Sequence, residues 1–145
     1  MKAKPKKAAP KRPAKVAYCD RAIVESPIFY CLVLSEKAYH AECERLGVKR
    51  GDWGDWLASD HAHATANHLK DREGKPICIV CLGSREGRME VQVYGLLIHE
   101  AVHIFQRICS YIGERAPSAE FEAYSIQRIA QELIHSYHQQ TGKTP

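Results

Sequence analysis

The chain of 145 residues and 16.4 kDa has room for one hydrophobic core, and so for one folded domain, which excludes a two-domain enzyme. Apolar residues at 45% and charged residues at 26% describe a folded chain, and no run approaches the roughly 18 apolar residues of a bilayer span. The net charge of +4 is unevenly placed: Lys2, Lys4, Lys6, Lys7, Lys11, Arg12 and Lys15 precede the first acid, Asp20, and the other 14 bases face 17 acids, so residues 18–145 carry −3.

Residues 1–17 are Lys, Ala and Pro with almost nothing apolar to bury, which predicts a disordered basic tail ahead of a single domain over 18–145. Such a tail can make weak, sequence-independent and salt-sensitive contacts to nucleic acid, because each base near a phosphate releases a counterion. It presents no rigid element to read base edges. The first residues also lack the apolar stretch of a secretory signal, so a cytoplasmic location with no membrane association is expected, and Cys19, Cys31, Cys43, Cys78, Cys81 and Cys109 read as reduced, mostly buried thiols.

After Pro27, residues 28–34 form an apolar run expected as a buried strand, with Ser35 as N-cap of a helix that Gly47 closes. The turn-rich stretch that follows carries Trp53 and Trp56, which cap the core more simply than they form a lip over a cleft. Residues 61–69 alternate loosely, residues 71–75 turn through Gly74, and residues 77–82 are apolar on both faces, which together predict a hairpin. Apolar residues then recur at Tyr94, Leu97, Ile98, Ala101, Val102, Phe105, Ile108, Cys109 and Ile112, the three-and-four spacing of the longest helix. Gly113 and Pro117 end it, and Ser118 caps a further helix carrying Ile126, Ile129, Ala130, Leu133 and Tyr137. The sum is an α+β domain: a small, mostly antiparallel sheet packed on two long antiparallel helices.

Within the longest helix, His99-Glu100-Ala101-Val102-His103 places two imidazoles at i and i+4, one turn apart on one face, so both can grip one ion. At 100° per residue the pair lies roughly 155° from the centre of the apolar stripe, on the face of Gln92, Gly95, Leu96, Gln106 and Ser110, so these are not core-filling histidines. A hydrolytic zinc site takes three protein ligands and keeps one position open. A short loop returns the chain alongside itself, which brings Glu120 and Glu122 of the last helix toward the pair. Glu122 is preferred, because it flanks the inward face of that helix and reaches further back toward His103.

The stretch from Leu97 to Leu133, about a quarter of the chain, resembles the gluzincin branch of the zincin metallopeptidases, and in size it is similar to minimal bacterial and phage members. The resemblance rests on His99, Glu100 and His103 on one helix and a Glu on the next, with 18 residues between His103 and Glu122. It implies a zinc ion held by His99, His103 and Glu122, Glu100 as general base, a peptide or protein substrate, and a small sheet whose edge strand binds that substrate. Where thermolysin-like members have an Asp four positions after the ligand Glu, this chain has Ile126, so support for a ligand His must come from elsewhere. Tyr124 is the nearest candidate donor to an oxyanion, with Tyr111 and Tyr137 behind it.

Other clusters carry less. Cys78 and Cys81 form C-x-x-C, but their odd offset on a strand sends them to opposite faces, which argues against a shared metal. His61 and His63 are expected on one strand face and His135 and His138 on one helix face, without further ligands in place. A different class of function also fits the motif: a non-catalytic, zinc-stabilised binding or assembly module, for which Glu100 would not be needed.

Overall fold

The computed structural model describes residues 16–19 and 26–143. The strands are β1 (Phe29–Val33), β2 (Ala64–Lys70) and β3 (Pro76–Leu82); the helices are α1 (Glu36–Leu46), α2 (Glu90–Ile112) and α3 (Ala119–Thr141), with a 3₁₀ turn at Arg50–Asp52. The class is α+β, as the patterning predicts. The basic tail lies outside the described residues except for Val16 and Ala17, and Val16 packs, half-buried, against the core with Tyr18. Two residues of the segment assigned to the tail are therefore described, and one of them joins the core.

The sheet has the order β1-β3-β2. β3 takes the centre because its residues are apolar on both faces, and all but the first are buried. It pairs antiparallel with β2, joined by the expected turn, where the Asp71 carboxylate accepts the backbone N–H of Glu73 and of Lys75 at 2.8 and 2.9 Å. On its other side β3 pairs parallel with β1. The sheet is thus mixed rather than mostly antiparallel, since the chain crosses over through α1 and β2 before β3 inserts beside β1.

Alternation along β3 divides the core. Cys78, Val80 and Leu82 face α2 and α3, whereas Ile77, Ile79 and Cys81 face α1 and Trp53. The two cysteines of the C-x-x-C lie on opposite faces, as their offset requires. Trp53 is buried in the second layer, donating its indole N–H to the Val48 carbonyl at 2.9 Å, and its own carbonyl accepts the Tyr39 hydroxyl; Trp56 packs beside it. The tryptophans cap the core.

α1 begins at Ser35, whose hydroxyl accepts the Ala38 N–H at 3.2 Å, and ends at Gly47 with φ of +67°. In α1 the buried Glu42, 3% exposed, accepts the Tyr18 hydroxyl and is paired with Arg45. That contact, with the Cys19 N–H donated to the Tyr30 carbonyl at 3.1 Å, lays residues 18–19 along the outer edge of β1. Among the described residues nothing lies in the same way along β2, which leaves that edge open.

α2 and α3 pack antiparallel on the first core layer. Tyr94 near the start of α2 bonds His138 near the end of α3 at 2.7 Å, and Phe105 meets Phe121 with ring centroids 5.8 Å apart. Among the described residues no helix is long and apolar enough to cross a membrane.

Candidate metal centre

The motif helix forms because Val93, Leu97, Ala101, Ile104 and Phe105 give α2 a continuous buried face. That face is wide enough to be shared by the sheet and α3, so α2 is anchored on two sides while its remaining flank meets the open edge of β2. A cleft of about 600 Å³ lies there, and His99, Glu100 and His103 line it together with Ala64, Ala66 and His68 of β2. The alanines matter sterically, since their small side chains leave room beside Glu100.

His99 and His103 converge. Their Nε2 atoms stand 3.0 Å apart, and His103 Nδ1 lies 3.2 Å from the Gln106 amide oxygen. With its Nδ1 proton on Gln106, His103 presents a lone pair at Nε2, which is the tautomer a metal requires. Gln106 thus fixes the ring of His103, whereas Ile126 offers it no hydrogen bond. Two nitrogens on a tetrahedral zinc stand roughly 3.3 Å apart, from Zn–N bonds of about 2.05 Å, so these rings need part by only a few tenths of an ångström to accept the ion.

Glu100 is 4% exposed and sits under the strand. Burial pushes its carboxyl pKa up; the neighbouring His99 and His103 and the backbone N–H of Ala66, which its carboxylate accepts, work in the opposite direction without cancelling the effect. The hydrogen bond to Ala66 follows from strand register. Backbone pairing at His63–Gly83 and Asp71–Lys75 turns the odd-numbered residues of β2 toward β3, so the N–H and C=O groups of Ala64, Ala66 and His68 point away from the sheet.

The other site residues expected from sequence are placed elsewhere. Glu122 is exposed in the first turn of α3, with Cys109 as its electrostatic neighbour on α2, and Glu120 is exposed beside it. Neither lines the cleft. α3 packs on the flank of α2 marked by Tyr94, Ala101 and Phe105, and on a 100° wheel that flank is roughly 160° from the His pair. Among the described residues no three His, Cys, Asp or Glu side chains converge closely enough to hold an ion. Tyr124 is 65% exposed on α3 and also outside the cleft, and Tyr137 is in the core. Tyr111, 57% exposed, lines an adjoining cavity of about 330 Å³.

His61 and His63 precede β2 rather than sharing its face, and His135 and His138 line a pocket with Gln131 and Ile134 of α3. The residues that sequence reasoning missed are His68 and Arg107. His68 stands on the cleft wall, its pKa lowered by desolvation and then by the positive charges of Arg107 and His103. Arg107 continues the motif face at i+8 from His99, a spacing visible in the sequence; His68 needed the hairpin register.

Comparison with protein-family models, characterised proteins and solved structures returns no match, so the functional reading rests on this chain's own residues.

Proposed function

We propose that the chain is a zinc-dependent peptidase of the compact gluzincin kind found in bacteria and phages, acting in the cytoplasm on a peptide or protein. The observation that carries this reading is the meeting of three features in one cleft: two convergent imidazoles, a buried carboxylate of raised pKa between them in sequence, and an unpaired strand edge. His99 and His103 hold the ion. Zinc bound there supplies the Lewis acidity that polarises a carbonyl and acidifies water. An extended substrate pairs with the outward backbone groups of β2 that Glu100 does not hold, at Ala64 and His68, which fixes the scissile bond over the motif. Ionised Glu100 takes a proton from the attacking water and delivers it to the leaving amine. With Glu122 as third ligand, His68 on the cleft wall supplies an N–H to a developing oxyanion, the task that Tyr124 was expected to fill.

Glu122 is the third ligand by resemblance, whereas His68 lines the cleft without converging on the pair, so either would have to move to complete the site. Metal content of the purified protein decides between them. Zinc bound one-to-one is expected to be lost in His99→Ala and His103→Ala, and in whichever of Glu122→Gln and His68→Ala removes the third ligand; loss in Glu120→Gln would transfer that role to Glu120. Stoichiometric zinc in His99→Ala would end the proposal. Digestion of a peptide library by zinc-loaded protein should depend wholly on Glu100 and vanish in Glu100→Gln.

The second reading, a zinc-stabilised binding or assembly module without turnover, uses the same two imidazoles and asks nothing of Glu100. Zinc-dependent thermal stability with no Glu100-dependent cleavage would establish it. Nucleic-acid contact through residues 1–17 is a separate proposal in either case.

A further inference from the structure

We propose that Arg107 makes this cleft selective for peptides that carry a carboxylate about two residues from the bond over the motif, a substrate class that rests on the peptidase reading for its chemistry. Arg107 follows His103 by one helical turn, roughly 6 Å along α2, a distance that an extended peptide covers in about two residues. It lines both the cleft of the His pair and the adjoining cavity, which share His68, so the two form one groove along β2 with Arg107 at their junction.

Among the described residues the guanidinium has no acid of its own, and no ion pair involves Arg107. Among the described residues the only acid lining the main cleft is Glu100, whose carboxylate already takes the Ala66 N–H. In the adjoining cavity Lys70 adds a second base and Asp52 stands as the one acid, so the groove beyond the His pair is net positive although residues 18–145 are net negative. A planar fork with fixed positive charge matches a carboxylate by two parallel hydrogen bonds. The carboxylate can belong to an acidic side chain or to the peptide's own C-terminus.

The test uses binding, so that it does not depend on turnover. Metal-free wild type and Glu100→Gln are titrated with short dansyl-labelled peptides of Ala, Leu and Thr bearing one central Glu or its Gln counterpart, each with a free or an amidated C-terminus. Anisotropy at low salt is expected to show about five- to tenfold tighter binding of the carboxylate peptides, the size of one charge-assisted contact partly screened by water. A Glu-over-Gln preference in the amidated pair assigns the side chain; a preference for the free terminus in the Gln pair assigns the terminus. Arg107→Ala should abolish the preference, Arg107→Glu should invert it, and Arg107→Lys should keep a smaller part. Equal binding of all four peptides, no measurable binding, or a preference that survives Arg107→Glu would overturn the inference. If the preference holds and zinc-loaded protein cleaves nothing, the peptidase reading fails alone; cleavage without preference sinks only the role of Arg107.

Discussion

Glu100 sits where opposing influences meet. Burial disfavours its carboxylate, the His pair and the Ala66 N–H favour it, and burial prevails, so its pKa is raised. A general base must be ionised, and a zinc ion on the His pair beside it would favour that form, so the raised value is that of the metal-free protein. The same shift bears on the stability of the metal-free protein. A folded-state pKa above the unfolded one means that the folded form holds the proton more tightly, so this contribution is present below the ordinary glutamate pKa and is lost as pH rises through the folded value. Glu100→Gln never ionises and keeps an oxygen for the Ala66 N–H. It should melt at a higher temperature than wild type at neutral pH, with the gap closing on acidification; equal melting temperatures at neutral pH would show that the buried carboxylate costs the fold nothing.

At the scale of elements, the first turn of α3 explains why acidic residues stand there regardless of metal. The Ser118 hydroxyl accepts the Phe121 N–H at 3.3 Å, and Glu120 and Glu122 complement the positive end of the helix. Ser118→Ala should cost about 1 kcal/mol, and Leu97→Ala, which empties the fully buried contact of α2 with the core, about 2–5 kcal/mol. Urea unfolding of the two variants checks the order; a Ser118→Ala loss as large as that of Leu97→Ala would mean that the cap holds tertiary packing as well as its own helix. The two sheet edges are treated differently: Tyr18 and Cys19 cover β1, while β2 keeps its outward groups beside the His pair. An edge left open beside a candidate catalytic carboxylate is where an extended substrate can be read through its backbone.

Across the whole molecule the six cysteines behave as small apolar side chains. All are free, and five are buried in the two layers of the core. Burial pushes the thiols of Cys19 and Cys81 up to about 12, and that of Cys78 is also raised. Native protein at mildly alkaline pH is therefore expected to react slowly with an aromatic disulfide reagent, Cys19 first, and to yield six thiols only on unfolding. Rapid titration of several thiols in the native state would contradict this packing.

Local chemistry was enough to read the α+β class, the hairpin, the Ser35 and Ser118 caps, the Gly47 and Gly113 stops, and the placement of His99 and His103 on one polar face. Each follows from spacing along a single segment: period two or 3.6 sets which face is apolar, and short-range hydrogen bonds set where an element ends. Only the tertiary structure decided that β3 lies parallel to β1, that α3 covers the flank of α2 away from the His pair, and that His68 and Arg107 share a groove with the motif. Periodicity says how wide an apolar stripe is. It does not say which neighbour covers which part of it, and the stripe of α2 is wide enough for both the sheet and α3. That division places Glu122 on the far flank and leaves the edge of β2 facing Glu100.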